Sequence, residues 1–332
     1  MSDIKYAGEV ELQELILISS SGTTIDLTEL VININMYESV FSHAMSGNIL
    51  IADTNNLAVN LPIIGQEYLR VKLNTPSLDE QSIDYSENVF VVYKINKREA
   101  EGLMQVLELQ FTSPEMLKSN RVRVSKSYTN TIDNIAEDLL TNSKYVDSKK
   151  DLFIEPTSGI RRIVVPNLHP YDILRRLATE SISKENTSPH YLFFENNRGL
   201  HFRSLQSLYA QGVNGKYHAG EKASDEEAIG LTNAGESGAL MQSIKRIINF
   251  SMGTNNDTLL NIKSGMLGST IISHDIYNKS YDTKTFGYFD NFEDHDRISE
   301  NPPYNDNPVD EDLNTLGNFT DARIHLHSVP SD

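Results

Sequence analysis

Apolar and polar residues alternate through the first third of the chain with the period of β-strands. In "LVININM", residues 30–36, the side chains of Leu30, Ile32, Ile34 and Met36 fall on one face. Further short strand-like runs occur at 14–18, 69–73 and 103–111. The run at 88–95 is apolar on both faces, which predicts a central strand. About six short strands within about 110 residues, separated by turn residues, predict a small antiparallel barrel or sandwich.

The pattern changes to a helical period after the first third. Pro114 directly follows a serine that can cap a helix, and proline suits the first helical position. The segment 131–140 predicts an amphipathic helix, because its apolar residues recur three and four positions apart. These are Ile132, Ile135, Ala136, Leu139 and Leu140. A second helix is predicted from Tyr171 to about Ser183, and alternating aromatic residues predict a hairpin at 190–205.

The last part of the chain mixes polar loops with short strands. Residues 209–240 are rich in Gly, Ala and charged residues, which is typical of a linker or long loop. Strands are predicted at 244–250, 258–265, 269–277 and 322–328. An acidic, proline-containing tract at 290–313 has the composition of an exposed loop.

Length, composition and charge limit the classes of protein that this chain can be. At 332 residues it is long for one domain, which favours two or three units. The absence of cysteine excludes disulfides and thiolate metal sites. We expect no membrane-spanning segment and no secretion signal, since neither pattern occurs. The formal net charge of −17 argues against a protein that grips nucleic acid; it fits a surface that repels polyanions or an ordinary acidic protein.

Histidines provide the candidate metal chemistry. His325 and His327 lie two apart in a predicted strand, so both side chains face one side and could bind a metal. His274 and His295 each have a carboxylate neighbour, which raises the pKa of a histidine. No third ligand has a convincing spacing, and such pairs are common on surfaces. We therefore predict no catalytic residue, no cofactor and no metal site.

Several segments, taken in order, resemble one family. They are residues 34–73, 109–128, 131–140, 164–181, 191–205 and 264–290. In "INMYESVFSHAMSGNILIADTNN", "LQFTSPEMLKSNRVRVSKSY" and "SGMLGSTIISHDIYNKSYDTKTFGYFD" the chain is similar to the baseplate central hub proteins of contractile-tailed, T-even-type bacteriophages. The resemblance rests on this collinear order rather than on one diagnostic motif.

The resemblance implies a structural virion protein without a catalytic site. Family hubs form trimers, and each chain carries two modules of the tail-tube type, so that three chains give a ring of six modules. One side of the ring meets the tube or its initiator proteins, and the other side receives the trimeric central spike; inner baseplate wedge proteins are further partners. During genome ejection DNA passes through the ring without specific binding. The particle is assembled in the host cytoplasm, with no membrane insertion.

The implied fold is α+β and mainly β, with two tail-tube-like antiparallel barrel or sandwich modules and an α+β domain between them. The predicted boundaries are 1–112 for the first tube-like module, 113–208 for the α+β domain, 209–240 for the linker, 241–264 for the start of the second module and 265–332 for an inserted β and loop region. On this division the second barrel is incomplete. We expect a separate chain to cover its open edge, since exposed strand edges are rarely tolerated.

The connection between the strands ending at residue 36 and starting at residue 47 is longer than a hairpin needs, and it carries bulky apolar side chains. In tube-type modules such a connection reaches a neighbouring module. The resemblance therefore implies that Tyr37, Val40, Phe41 and Met45 lie between subunits. The other interpretation is that the segment folds back on its own barrel.

Two other functions compete with the phage hub. A hub or spike-base component of a contractile secretion or injection system would share the same β modules. A metal-dependent hydrolase would use His274, His295, His325 or His327, and a stoichiometric bound metal would favour it.

Overall fold

The computed structural model describes most of the chain. The described residues are 9–53, 63–74, 82–101, 104–186, 188–213, 215–219, 246–247, 249, 251, 257–288, 290–291 and 321–328. The chain divides into two compact units, one formed by residues 1–208 and 212–248 and the other by residues 209–211 and 249–332. No helix within the described ranges is both long and apolar enough to cross a membrane.

The amino-terminal part of the first unit is one eight-stranded antiparallel sheet. Its strands are β1 (Glu11–Ile18), β2 (Thr24–Asp26), β3 (Val31–Tyr37), β4 (Ser46–Asp53), β5 (Tyr68–Asn74), β6 (Ile83–Asp84), β7 (Phe90–Glu101) and β8 (Met104–Thr112). The strand order is β2-β1-β5-β7-β8-β4-β3, and β6 pairs with β5. Strand β7 lies inside this order, as its continuous apolar sequence predicts. Among the described residues the sheet stays open between β2 and β3.

One face of this sheet is buried because each strand alternates its side chains between two faces. Strand β4 is fully regular, with Gly47, Ile49 and Ile51 turned inward. A Cβ atom on Gly47 would lie 2.3 Å from the Phe111 ring, so only glycine allows this approach. Ile32 was predicted to share one face of β3 with Ile34, but its side chain is 53% exposed. The pairing of β3 with β4 has a bulge between Val31 and Asn33, and this bulge interrupts the alternation at Ile32.

The carboxyl-terminal part of the first unit is an α+β domain with its own core. Its elements are α1 (Pro114–Arg121), β9 (Val124–Asn130), α2 (Ile132–Thr141), β10 (Leu152–Ile154), β11 (Arg161–Leu168), α3 (Pro170–Glu180), β12 (Tyr191–Asn196), β13 (Gly199–Ser204) and α4 (Leu205–Tyr209). Strands β9 and β11 form an antiparallel ribbon, and the second sheet has the order β10-β13-β12. The predicted helices α2 and α3 and the β12–β13 hairpin are confirmed.

The sequence pattern missed the β9–β11 ribbon. In β9 only Val124 and Tyr128 are buried, four positions apart, so the strand lacks a period of two in hydrophobicity. Strand β11 buries Ile163 and Val165, which are two apart, but this alternation covers only three residues before Pro166. A short pair completes the described part of this unit: β14 (His218–Ala219) runs parallel to β15 (Arg246–Ile247).

The second unit contains α5 (Thr258–Ser264) and a three-stranded sheet of β16 (Gly268–Asp275), β17 (Ser280–Gly287) and β18 (Ile324–Ser328). Strand β16 is central, antiparallel to β17 and parallel to β18. The strands predicted at 269–277 and 322–328 are confirmed, and β17 was missed. The strand predicted at 258–265 is wrong, because both ends of α5 are capped. The Asp257 carboxylate accepts a 2.9 Å hydrogen bond from Leu260 N, and Gly265 adopts a left-handed φ of 83°.

The prediction of a mainly β, α+β protein is confirmed. The division into the five predicted segments stays a prediction. Most of the linker, much of the predicted second barrel and most of the acidic tract at 290–313 lie outside the described residues.

Candidate subunit interface

The connection between β3 and β4 is an eight-residue loop, residues 38–45. Its ends are closed by pairing of Tyr37 with Ser46 in the antiparallel register. We call residues 38–41 the loop tip, and every residue of the tip is exposed. Phe41 is 78% exposed and Val40 39%, and the adjoining Tyr37 is 57% exposed. Large apolar side chains grouped on a surface are typical of a protein contact.

The end of the loop is buried within its own chain. We call residues 43–45 the loop base. Ala44 and Met45 are 8% and 3% exposed, and Met45 packs in the core of the first sheet. The Tyr85 hydroxyl donates to the Met45 sulfur at 3.7 Å. Met45 therefore folds back on its own module and cannot provide the predicted subunit contact, whereas Tyr37, Val40 and Phe41 stay predicted contacts.

Hydrogen bonds from three directions hold the loop base. The N–H of Met45 donates to Glu195 Oε2 at 3.0 Å, and its carbonyl oxygen accepts from Thr112 Oγ1 at 2.9 Å and from Ser113 N at 3.1 Å. The Nδ1 of His43 donates to the Phe193 carbonyl oxygen at 3.1 Å, and the two rings stack. The base is thus fixed between the first sheet and the α+β domain. The exposed tip projects from a rigid support.

A buried ion cluster lies behind the loop base. The Lys150 ammonium lies 2.8 Å from Glu115 Oε2, also contacts Glu195, and donates to Ser113 Oγ at 2.7 Å. The Lys150, Glu115 and Glu195 side chains are 8%, 5% and 1% exposed. Burial raises the pKa of Glu195 above its ordinary value, against the opposing effects of Lys150 and the Met45 N–H. For Glu115 burial acts in the same direction, but Lys150 and Ser113 together outweigh it and its pKa is lowered.

Ser113 shows how this cluster replaces an ordinary helix cap. The residue has the extended conformation of an N-cap, and Pro114 begins α1 as predicted, but the Ser113 side chain makes no cap hydrogen bond. Its hydroxyl donates instead to Glu115 in the same helix. The local sequence signal was correct for the helix start, while the side chain serves the ion cluster.

Helix α1 separates two grooves in the first unit. The first has a volume of about 550 Å³ and lies beside the loop, between Phe41, Tyr93 and Met116. The second, of about 520 Å³, is the α1 groove, which lies between the helix and the strands β5 and β7. Leu117 borders both grooves.

The described histidine candidates lie on two neighbouring strands, and His274 and His327 line one cavity. On β18, His325 pairs with Ile271 and His327 with Ser273, while His274 on β16 pairs with Ser328. Within the described ranges no group of three or more His, Asp or Glu side chains could hold a metal ion. His295 lies outside those ranges.

Sequence reasoning missed the residues that hold the loop base. Of these residues, Glu195 carries the clearest signal in the sequence, because it lies in a strand of aromatic residues. A carboxylate buried there needs a hydrogen-bond or charge partner. Lys150 lies in a polar stretch and His43 in a loop, and neither carries a signal that a single sequence reveals.

The chain is similar in sequence to a phage baseplate protein. The chain is 22% identical over 257 residues to the probable baseplate hub protein gp334 of Vibrio phage KVP40. The match covers 76% of this chain and 57% of that protein, so the chain spans little more than half the length of its relative. The predicted resemblance to a baseplate hub protein of T-even-type phages is confirmed.

Two solved structures that match much of the chain have TM-scores below 0.5. A tail protein from Neisseria meningitidis MC58 covers 96% of this chain at 9% identity, with a TM-score of 0.47 and 72% of that chain matched. The c3393 protein of E. coli, a type VI secretion component similar to the T4 tail proteins gp27 and gp5, covers 64% at 11% identity, with a TM-score of 0.37 and 51% of that chain matched. No protein-family model matches the chain.

Proposed function

We propose that this chain is a structural subunit of a phage baseplate hub, three copies of which form a ring around the tail axis. The ring adapts the sixfold tail tube to the threefold central spike. The observation that carries the proposal is the loop of residues 38–45, whose apolar tip is exposed while its base is fixed by buried hydrogen bonds. A contact surface that is already ordered before binding loses little conformational entropy on assembly.

The similarity to the KVP40 hub protein supports the same class of function. Matching a sixfold to a threefold object requires each of three subunits to present two similar modules, and the first module is the eight-stranded sheet. The second module begins, on the predicted division, at residues 241–264.

Charge gives the ring a further property. Each copy carries a formal net charge of −17, so three copies form a strongly acidic assembly. Acidic walls repel the DNA backbone, and DNA then passes through the pore without binding. The partners in the particle are the tube or its initiator proteins on one side, the central spike on the other, and wedge proteins around the rim. The subunit acts through shape-matched contact and without catalysis.

Imaging of tails tests this function. A tagged copy of the full chain, incorporated into particles and located by cryo-electron microscopy, is expected on the tail axis with threefold symmetry. A position outside the axis, or absence from purified tails, would refute the hub assignment. A related contractile secretion apparatus would show the same threefold position, and a toxin-loaded spike in place of a genome-filled capsid would distinguish it.

A further inference from the structure

Strand β11 has an outer face on which an arginine lies between two aliphatic side chains. Ile163 and Val165 point into the core of the α+β domain, so the residues that alternate with them lie on the opposite face. On that face Ile160 is 72% exposed and Val164 is 70% exposed, and Arg162 between them is exposed as well. The outer face of β11 therefore presents an apolar, basic and apolar side chain in a row to the solvent.

The charge on this face is not compensated within the described part of the chain. Arg162 lies opposite Thr129 of β9, and Arg161 lies opposite Asn130. Neither arginine forms an ion pair with a described carboxylate. The surrounding domain is also basic, since residues 113–208 contain 14 Lys and Arg against 11 Asp and Glu, whereas the whole chain contains 29 against 46. The outer face therefore favours a partner that supplies a carboxylate.

The outer edge of β11 can accept a further strand. Among the described strands β11 pairs only with β9, so the backbone groups along its other edge have no strand partner. Pro166 lies within β11, and proline in a sheet is confined to edge strands and bulges because it has no N–H. The pairing with β9 shifts between Val165 and Leu168. The regular part of the open edge therefore runs from Arg161 to Val165.

The described edges of a second copy do not match this edge. Two β11 edges placed side by side would gather the arginines of both copies in one small sheet, which is unfavourable. Of the other described strands that lie at the end of a sheet, none presents an exposed carboxylate between two apolar side chains on one face. In β17, for example, Asp282 lies between Ser280 and Lys284. Nucleic acid is also a poor match, because aliphatic rather than stacking aromatic side chains flank Arg162.

We propose that the outer edge of β11 binds an extended acidic segment of a different protein, which adds a strand to the β9–β11 ribbon. The carboxylate of that segment faces Arg162, and the apolar side chains on both sides of the carboxylate pack on Ile160 and Val164. Backbone hydrogen bonds then give the affinity and the alternating side chains give the selectivity. The inference goes beyond the proposed function, because it assigns a docking surface to the α+β domain, whereas the proposed ring contact uses the loop tip.

Synthetic strand peptides test the proposal. The labelled peptide TVTETVT has its glutamate between two valines on one face, and two matched peptides carry Gln or Lys in place of the Glu. Each peptide is titrated with the full chain and followed by fluorescence anisotropy. The acidic peptide is expected to bind, the Gln peptide to bind about threefold more weakly and the Lys peptide about tenfold more weakly.

Charge exchange tests the protein side of the contact. Arg162→Glu is expected to weaken binding of the acidic peptide about tenfold and to bind the Lys peptide better than the acidic one. Because Arg162 is exposed, this variant should fold like the wild type, which circular dichroism checks. The matched control is Arg198→Glu, since Arg198 is an exposed arginine in the turn between β12 and β13. It is expected to bind all three peptides like the wild type.

N-methylation of the peptide separates strand addition from simple charge attraction. Alternate residues of an added strand direct their N–H groups towards β11, and the residues between them direct theirs away. Two acidic peptides are therefore methylated at the two alternate sets of backbone nitrogens. One of them is expected to lose binding, and the other is expected to bind like the unmethylated peptide.

Several results would overturn the proposal. They are a lack of binding of the acidic peptide up to about 1 mM, equal binding of the Glu, Gln and Lys peptides, and equal binding of the two methylated peptides. An oligonucleotide that binds more tightly than the acidic peptide, and whose binding is lost in Arg162→Glu, would assign the face to nucleic acid. Weaker self-association of Arg162→Glu in sedimentation equilibrium would assign it to a second copy. None of these results changes the threefold imaging of tails, so the proposed function stands or fails separately.

Discussion

The backbone N–H of Met45 donates a 3.0 Å hydrogen bond to the carboxylate of Glu195, which lies 150 residues further along the chain. This bond joins the loop base to β12 and so couples the first sheet to the α+β domain. Both partners are buried, and Lys150 neutralises much of the charge. Because a buried acceptor is costly to leave unpaired, the bond fixes where the loop tip projects.

Replacement of Glu195 tests this coupling. Glu195→Ala removes the acceptor of the Met45 N–H and one of two carboxylates at Lys150. Glu115 still pairs with Lys150, so the main cost is the unpaired buried N–H, and we expect the free energy of unfolding to fall by about 1–3 kcal/mol. Glu195→Gln keeps an oxygen acceptor, so its cost should be smaller. Urea unfolding followed by circular dichroism measures both. The control is Glu180→Ala, whose ion pair with Arg176 is exposed and should contribute less than about 1 kcal/mol. Equal losses for all three variants would contradict the prediction.

His201 makes the stability of the α+β domain depend on pH. Its ring stacks between Phe153 and Phe194, with ring centroids 4.5 and 4.7 Å away. Burial, with smaller effects of Arg203 and Arg198, lowers the pKa of His201 to about 4. The unfolded chain then binds the proton more readily than the folded chain. The contribution of His201 to stability is therefore complete above its ordinary pKa of 6.5 and is lost as the pH falls from 6.5 towards 4.

The variant His201→Phe keeps a ring in the stack and removes the titrating group. The variant loses the 2.8 Å hydrogen bond between His201 Nε2 and Asn196 Oδ1. The Asn196 oxygen is not left unpaired, because it still accepts from the backbone N–H groups of Arg198 and Gly199. We expect the unfolding free energy of the wild type to fall between pH 7 and pH 5 and that of the variant to fall less. The exposed His190 gives the control, since His190→Gln should keep the slope of the wild type. Parallel slopes for wild type and His201→Phe would rule the mechanism out.

Gly47 is expected to tolerate no side chain. Its Cβ would lie 2.3 Å from both the Phe111 ring and the carbonyl oxygen of Asn35, and the backbone oxygen cannot move aside without breaking β3. Gly47→Ala should therefore lower the free energy of unfolding by about 1–3 kcal/mol. Gly212→Ala, at a position with open space, is the matched control and should be close to neutral. A wild-type melting temperature for Gly47→Ala would show that the strands separate more easily than the packing indicates.

Local patterns predicted the elements whose burial is periodic. Helix α2 was found because all five apolar residues of its stripe are buried on one face. Helix α5 was taken for a strand because short apolar runs do not separate the two periods. Its cap signals, Asp257 and Gly265, were present in the sequence and decide the matter. Strand β9 was not predicted, because its two buried residues lie four positions apart and the apolar pattern does not alternate.

The candidate interface could be predicted only in its exposed half. Bulky apolar residues in a long connection marked Tyr37 and Phe41 as unusual, and the structure leaves both exposed. Met45 has the same composition signal but is buried, since its surroundings are set by Thr112 and Glu195, which are far away in sequence. A single sequence does not reveal that Thr112 and Glu195 lie next to Met45 in the fold.

The two halves of the loop should therefore respond to mutation in opposite ways. Phe41→Ser changes an exposed side chain, so we expect the free energy of unfolding to change by less than about 0.5 kcal/mol while self-association weakens. Met45→Ala opens a cavity in the core of the first sheet and should cost about 2–5 kcal/mol of stability. Thermal unfolding and sedimentation equilibrium on the same samples measure both quantities. If Phe41→Ser destabilises the fold as much as Met45→Ala, the tip packs on its own chain, and its role between subunits has to be abandoned.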